Sequence, residues 1–363
     1  MPNRSGLSFG RKELSRPPMA ENPNPRQMVT ALLQGVPPRR ALRVPIVFSV
    51  GARVENISRK EFLANATKIS NSLRQIRGHL RTDGVTCYFD SYLELEVLGA
   101  TLHWPADDQP PTIAWPRVAQ NGMLPEGLRS PEEAVKTGRV KVAVEVIRRL
   151  KSLLRDEPLL MAVVTGPFTL AARLSQLNLN SVLRSEDVPD AALEMAASMT
   201  TQVSAALVDA GADLIFVREE ILPAFSAESF EVWASSLAPT FNIIRFYGAL
   251  PVFHLAGVAS FAQNSAAIFR QTWDCILCPP LDASLAQPAG NTPSSNALGL
   301  GLALPDKFFQ PDSFISRGNQ GSAIGNVSKP QVSLLTTVGD VPADTNLERM
   351  MEIFENASRP FSW

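Results

Sequence analysis

The chain has few cysteines and no large excess of charge of either sign. Its 363 residues include three cysteines and carry a formal net charge of −1. Three cysteines cannot build a disulfide framework, so we expect a reducing, cytoplasmic setting. Nucleic-acid-binding domains usually carry a basic excess or a basic stripe, and the near-neutral balance therefore predicts no nucleic-acid partner.

Long apolar runs are also missing. No uninterrupted apolar stretch approaches the length of a membrane span, which predicts that the protein has no membrane partner. The first 25 residues scatter basic side chains among Pro, Ser and Asn and lack the continuous apolar core of a signal peptide. We interpret residues 1–25 as a disordered tail and residues 26–363 as one domain, because α/β barrels of this size are routinely a single unit.

Helix and strand signals alternate along the rest of the chain. Capping residues and apolar positions at helical spacing predict helices over about 24–35, 58–80, 130–154, 191–208, 229–237 and 261–269. Short apolar runs predict strands at 44–48, 85–89, 159–164, 214–217, 251–254 and 275–277. Short buried strands separated by helices imply parallel βαβ units, and this number of them favours a closed (β/α)8 barrel of the TIM type. An open doubly wound sheet is the alternative.

One segment after a predicted strand end has the composition of a loop. Asp282 to Asn296 is rich in Ser, Pro, Ala and Asn. It is interpreted either as a solvated loop or as a mobile lid over the barrel mouth.

The segment from Val163 to Ala171 is the clearest site signal. An apolar strand runs directly into Gly-Pro, an aromatic residue and then a helix. This order places Thr165 to Phe168 at the carboxyl end of a parallel strand, where α/β enzymes build their sites. We therefore predict that Thr165 and Phe168 bind substrate.

Carboxylates gather at other predicted strand ends, where side chains are expected to point into the barrel mouth. They are Asp90, Glu94, Glu96, Glu219 and Glu220. Carboxylates crowded in a low-dielectric cavity raise one another's pKa, so that one stays protonated near neutrality and acts as a general acid. We predict Asp90 and Glu219 as catalytic and the other three as substrate-binding. Only one of Glu94 and Glu96 can comfortably face the cavity, because they lie two residues apart on a short helix.

Three other features have both a functional and a structural interpretation. Arg218 either binds substrate or forms an ion pair with Glu219 beside it. His254 ends an apolar run and is either a core or rim residue or a catalyst. Cys275 and Cys278 lie three apart on a predicted strand and point to opposite faces, so we interpret them as apolar core residues rather than a metal or redox site.

Several of these motifs resemble the uroporphyrinogen decarboxylase superfamily, which also contains corrinoid-linked and coenzyme M methyltransferases. Val-Thr-Gly-Pro-Phe-Thr-Leu-Ala at 164–171 is similar to its central segment, and Phe-Asp-Ser-Tyr-Leu-Glu-Leu-Glu-Val-Leu-Gly-Ala at 89–100 is similar to the end of its second strand. Further similar motifs lie at 26–35, 44–46, 211–215, 254–257 and 339–342. The resemblance covers nearly the whole chain after the tail. It implies a TIM-type barrel with its site at the strand ends, and it favours a catalytic role for His254.

The chain departs from both branches of that superfamily. The decarboxylases carry Arg-Gln-Ala-Gly-Arg after the first strand, whereas this chain has Ser-Val-Gly-Ala-Arg at 49–53, so the resemblance leaves only Arg53 as a substrate-binding arginine. The zinc methyltransferases carry His-x-Cys and a late Cys, whereas this chain has His254, Ala256 and Gly339. Zinc normally needs three protein ligands, so no zinc is expected.

The resemblance therefore implies a methyltransferase-like enzyme. Such a member demethylates a small methoxylated or methylated compound and passes the methyl group to a corrinoid, either free or on a partner protein. Two alternatives stay open: a cofactor-free decarboxylase of a small or porphyrin-like carboxylic acid, and a non-catalytic binding barrel that has lost the metal site. The sequence leaves open the identity of the small-molecule substrate, the methyl acceptor and the oligomeric state, for which a homodimer is one candidate.

Overall fold

Parallel strands form a barrel surrounded by helices. The computed structural model describes residues 23–115, 124–155, 158–179, 183–271, 273–281, 298–306, 309 and 332–358. The strands of the described residues are β1 Leu42–Arg43, β2 Gly84–Tyr88, β3 Thr101–His103, β4 Thr112–Ala114, β5 Leu159–Thr165, β6 Leu214–Glu219, β7 Leu250–Leu255, β8 Ile276–Cys278, β9 Gly299–Leu304 and β10 Val332–Thr337. β3 and β4 form a separate antiparallel hairpin.

The other eight strands lie in the order β1-β10-β9-β8-β7-β6-β5-β2, and every described pairing among them is parallel. The two end strands approach each other and nearly close the ring. The amide of Asp83, just before β2, donates to the carbonyl of Arg43 in β1 at 2.8 Å. The hydroxyl of Thr86 in β2 donates to the carbonyl of Pro45 at 3.2 Å. The predicted TIM-type barrel is confirmed.

Helices follow most of the strands and cover the outside of the barrel. They are α1 Pro25–Leu33, α2 Val50–Glu55, α3 Arg59–Leu63, α4 Ala66–His79, α5 Leu93–Leu98, α6 Pro131–Ala134, α7 Gly138–Leu154, α8 Pro167–Leu174, α9 Asp190–Asp209, α10 Ala227–Phe246, α11 Val258–Arg270 and α12 Leu347–Ser358. None of the helices in the described ranges is both long and apolar enough to cross a membrane.

The strands are buried on both faces, which is why they read as continuous apolar runs. Along β7, Phe253 points outward and packs on Trp233 of α10 at 5.8 Å between ring centroids and on Trp273 at 5.2 Å. The next residue, His254, points inward and meets the ring of Phe216 in β6 at 5.8 Å. Successive side chains therefore alternate between the barrel interior and the layer beneath the helices.

Several predicted boundaries were wrong. Residues 44–48 were predicted as a strand, but the observed strand β1 ends before them, at Arg43. The helix predicted over 58–80 is broken after Leu63, because Asn65 begins a second helix by accepting from the amide of Lys68 at 3.1 Å. The helix predicted over 130–154 is likewise divided into α6 and α7.

Two of the predictions fall partly or wholly outside the described residues. Pro25, assigned to the tail, is the first residue of α1, and Asn24 and Gln27 form the predicted capping box. The rest of the predicted tail, residues 1–22, and the predicted loop or lid at 282–296 lie outside the described residues.

Candidate active site

A cleft lies at the carboxyl ends of β2, β5 and β6. The space between its walls, counted together with the open solvent at its mouth, is about 210 Å³. Its wall consists of Phe89, Asp90, Ser91, Val163, Val164, Thr165, Arg218 and Glu220. The structure thus brings together at one place four of the residues predicted for the site: Asp90, Thr165, Arg218 and Glu220.

Asp90 is held by a guanidinium that comes from a helix. Nη1 of Arg139, near the start of α7, lies 2.5 Å from Oδ2 of Asp90. Nε of the same side chain lies 2.5 Å from Oε2 of Glu96 in α5. Asp90 and Arg139 are buried, whereas the Glu96 side chain is 32% exposed. One guanidinium therefore connects the strand-end acid to a second acid at the surface.

A second network surrounds Glu220. Its carboxylate oxygens accept from Nη1 of Arg218 and from Nη2 of Arg173 in α8, each at 2.5 Å. The hydroxyl of Ser91 donates to Oε1 of Glu220 at 3.0 Å. Burial acts to raise the pKa of Glu220, but the charges of Arg173 and Arg218 outweigh it and lower that pKa overall. Glu220 is therefore the counter-ion of two arginines.

Glu94 holds the end of β5. Oε1 accepts from the amide of Thr165 at 2.9 Å, and Oε2 accepts from its hydroxyl at 3.0 Å. Burial raises the pKa of Glu94. Glu94 and Glu96 thus have different surroundings, because one contacts the buried strand end and the other contacts Arg139 near the surface.

The prediction that Glu219 faces the barrel mouth was wrong. It is the last residue of β6 and points outward, where it accepts from the amides of Phe168 at 2.9 Å and Thr169 at 2.8 Å, at the first turn of α8. It also accepts from the Thr169 hydroxyl at 2.6 Å and from the indole of Trp233 at 3.2 Å. Burial raises its pKa to about 7, against the effect of these donors. Glu219 caps a helix, and the ion pair of Arg218 is with Glu220, not with Glu219.

Gly166 makes this cap possible. A Cβ at position 166 would lie 2.3 Å from Cδ of Glu219, which is far inside van der Waals contact. Pro167 then begins α8, where a proline needs no hydrogen-bond partner for its nitrogen. The Thr-Gly-Pro-Phe-Thr sequence at 165–169 therefore positions two buried carboxylates, Glu94 on the inner side and Glu219 on the outer side.

His254 lies inside the barrel rather than at its rim. It is fully buried and pairs in register with Arg218 on one side and Cys278 on the other. Neither ring nitrogen has a well-formed hydrogen bond among the described residues. Burial and the charge of Arg218 lower its pKa to about 3, although the Thr337 carbonyl opposes the shift. His254 is therefore neutral near pH 7, and it does not line the cleft.

The remaining predicted residues lie away from the cleft. Arg53 is exposed and donates to the carbonyl of Ala343 at 2.7 Å. The side chain of Phe168 is buried and packs edge-on against Phe225 at 5.6 Å. Substrate binding by either side chain is not supported by these positions.

The cysteines are buried and free. Cys275 and Cys278 occupy the core, and burial raises the pKa of both thiols. Within the described residues, no three His, Cys, Asp or Glu side chains converge as metal ligands. The expectation of no zinc stays a prediction.

Three polar residues at or near the site were not predicted. Arg139 and Arg173 come from helices, and Ser91 is the residue after a predicted catalytic acid. A fourth, Asp340, caps α2 by accepting from the amides of Phe48 at 2.8 Å and Ser49 at 2.9 Å. Ser91 and Asp340 lie within the motifs at 89–100 and 339–342 that the sequence already singled out, whereas Arg139 and Arg173 had no such signal.

Comparisons with known proteins agree with this fold. A family model described as uroporphyrinogen decarboxylase (URO-D) matches residues 24–261. A methylated-thiol–coenzyme M methyltransferase of Methanosarcina mazei is 32% identical over 87 residues, which are 24% of this chain and 22% of that relative. The chain therefore matches less than a quarter of that relative's length. A solved structure, a methyltransferase from Methanosarcina mazei, superimposes with a TM-score of 0.70 at 16% identity, over 92% of this chain and 98% of the other.

Proposed function

Because the chain belongs to the uroporphyrinogen decarboxylase family, we propose that it is a methyltransferase that demethylates a small methylated or methoxylated compound. The observation that carries the proposal is the cleft at the strand ends, where Asp90, Thr165 and Arg218 share one wall. Carboxyl ends of barrel strands are where TIM-barrel enzymes place their chemistry. The sequence similarity to one methyltransferase over 87 residues supports the choice of methyl transfer.

A methyltransferase must orient the methyl donor and provide for the charge that develops on the leaving group. The acceptor supplies the electron pair of the new bond to carbon, and the leaving group keeps the pair of the broken bond. An oxygen leaving group then needs a proton, whereas an amine or thioether released from an onium centre does not. Glu94 is the buried acid with a raised pKa next to the cleft residue Thr165, so it is a candidate proton source. Asp90 is the candidate for anchoring the donor.

A corrinoid is proposed only as the acceptor, free or on a partner protein. The cleft is lined by eight residues at three neighbouring strand ends, and we assign it to the small methyl donor rather than to a resident corrin ring. His254 offers no accessible imidazole, because it is fully buried. The residues of this chain therefore bind and orient the methyl donor, and the acceptor must approach from outside.

The test is a demethylation assay with reduced free cobalamin as acceptor. Purified protein is incubated with methoxylated aromatics, methylated amines and methylated thiols, and products are identified by mass spectrometry. We expect methylcobalamin to form with at least one donor class. Asp90→Asn should reduce kcat/KM by about tenfold to a hundredfold, because it removes a charge-assisted contact to the donor. The matched control is Asp209→Asn, since the Asp209 side chain is 61% exposed and outside the cleft wall.

Parallel incubations distinguish the alternatives. Release of CO2 from porphyrinogens or small acids without methyl transfer would replace this proposal by a decarboxylase. Binding without turnover of any compound would favour a non-catalytic barrel. Equal turnover of Asp90→Asn and Asp209→Asn would show that the cleft is not the site of reaction.

A further inference from the structure

One end of the cleft carries an excess positive charge. Arg218 and Arg173 share the single carboxylate of Glu220, which leaves one positive charge in this group. The side chains of both arginines are at most 13% exposed. Beyond Glu220, the described hydrogen-bond partner of Arg218 is the carbonyl of Val338, at 3.4 Å from both Nε and Nη2. Because a guanidinium has five N–H donors, Arg218 retains donor capacity for an anion.

The other end carries an excess negative charge. Asp90 and Glu96 share the single guanidinium of Arg139. These three side chains together carry one net negative charge. The neighbouring Glu94 adds nothing when it is protonated and adds negative charge when it is ionised, so the sign of this end is the same in either state.

The two ends meet at consecutive residues of the chain and line the same cleft. Asp90 belongs to the negative group, and the adjacent residue, Ser91, belongs to the positive group: its hydroxyl donates to Glu220 at 3.0 Å and its carbonyl accepts from Arg173 at 2.5 Å. Consecutive Cα atoms are about 3.8 Å apart. Val163 and Val164 supply an apolar part of the same wall.

We propose that the cleft selects a small zwitterion, with a carboxylate or similar anion at Arg218 and a methylated ammonium or sulfonium centre at Asp90. A neutral ligand would leave the excess charge of each end uncompensated in a largely buried cleft, which is unfavourable. An ion of one sign would compensate the excess charge of one end and leave the excess charge of the other end uncompensated. A quaternary ammonium or a sulfonium centre lacks N–H donors, so a negative charge such as that of Asp90 is the feature that recognises it.

This selection rests on the proposed methyl transfer and specifies its donor. It agrees with the ion pair that Asp90 forms with Arg139. When the methyl group leaves an onium centre, the amine or thioether keeps the electron pair and is released neutral, so no proton is required. Asp90 is bound to Arg139 at 2.5 Å. An acid held in an ion pair suits charge recognition better than proton donation.

Three probes of nearly equal shape test the charge selection by isothermal titration calorimetry on the whole protein. Glycine betaine is the zwitterion, 3,3-dimethylbutanoate replaces its nitrogen by carbon, and choline replaces its carboxylate by an alcohol. We expect glycine betaine to bind at least about tenfold more tightly than either of the other two, since each lacks one charge-assisted contact. Equal affinities, tighter binding of a singly charged probe, or no binding of any probe would overturn the proposal.

Variants assign each charge to its end. Arg218→Gln should weaken glycine betaine and the butanoate about tenfold or more while leaving choline unchanged, and Asp90→Asn should weaken glycine betaine and choline. Asp209→Asn is the surface control. The comparison of the three probes on the unaltered protein needs no variant to fold. Betaine binding without methyl transfer from any donor would refute the proposed function alone, and turnover of neutral methoxy donors without betaine binding would refute the charge selection alone.

Discussion

Gly166→Ala is expected to destabilise the protein through a single contact. The φ and ψ of Gly166 are −67° and 154°, which alanine adopts freely, so backbone strain contributes nothing. The added Cβ would lie 2.3 Å from Cδ and 2.7 Å from Oε1 of Glu219. The carboxylate is fully buried and must move, because the clash involves its own carbon rather than the end of a flexible chain.

The magnitude follows from the contacts that Glu219 loses. Overpacking in a core costs about 1–3 kcal/mol. Loss of at least one of its four hydrogen bonds adds about 1.5–3 kcal/mol, because the acceptor is a carboxylate. We expect the free energy of unfolding to fall by about 3–5 kcal/mol.

Urea denaturation of the unaltered protein and four variants tests this reasoning. The matched control is Gly78→Ala in α4, where no atom lies within 4 Å of the added Cβ and alanine should stabilise by about 0.5–1 kcal/mol. In a Glu219→Ala background the clash is gone, so Gly166→Ala should then change the stability by less than about 1 kcal/mol. If Gly166→Ala has the same effect with and without the Glu219 side chain, the cap does not depend on the glycine and the reasoning is refuted.

Other substitutions separate structural from catalytic residues. Glu219→Gln replaces an acceptor of the α8 cap by a donor, so it should lower stability by about 1.5–3 kcal/mol without changing KM, and a changed KM with unchanged urea midpoint would contradict its outward position. Arg139→Met leaves Asp90 buried and unpaired, and the free energy of unfolding should fall by about 3–5 kcal/mol, whereas a surface-like loss below about 1 kcal/mol would argue against the buried pair. His254 has its pKa lowered from 6.5 to about 3, so the unfolded chain binds a proton across this range and the folded protein does not. Stability relative to His254→Leu should therefore drop as pH falls, by on the order of 3 kcal/mol between pH 7 and pH 4, and a pH-independent difference would show that the imidazole is not held neutral.

The sequence by itself determined the barrel and one part of the cleft. Buried strands alternating with helices can satisfy their backbone hydrogen bonds and cover both sheet faces in few ways, and a closed parallel barrel is one of them. The break from strand to Gly-Pro fixed where β5 ends, so Thr165 was placed at the mouth from local sequence. Asp90 was placed there for the same reason, because it directly follows an apolar strand.

Only the tertiary structure decided which acid faces the cleft. Every residue from Leu214 to Val217 in β6 is apolar and buried, so the alternation of side chains gave no sign of which face is the interior. The sequence therefore did not show which of Glu219 and Glu220 points inward. Glu219 caps α8 outside the barrel, and Glu220 lies in the cleft.

The arginines that complete the two charged ends were equally hidden in the sequence. Arg139 and Arg173 lie on helices, 49 and 82 residues from the chain positions Asp90 and Ser91 that they contact. Helical side chains carry no strand-end signal, and their partners are set by how α7 and α8 pack on the barrel. The charge of the cleft is consequently a property of packing between distant segments, because a carboxylate or guanidinium acquires its partner only when the chain brings the two together.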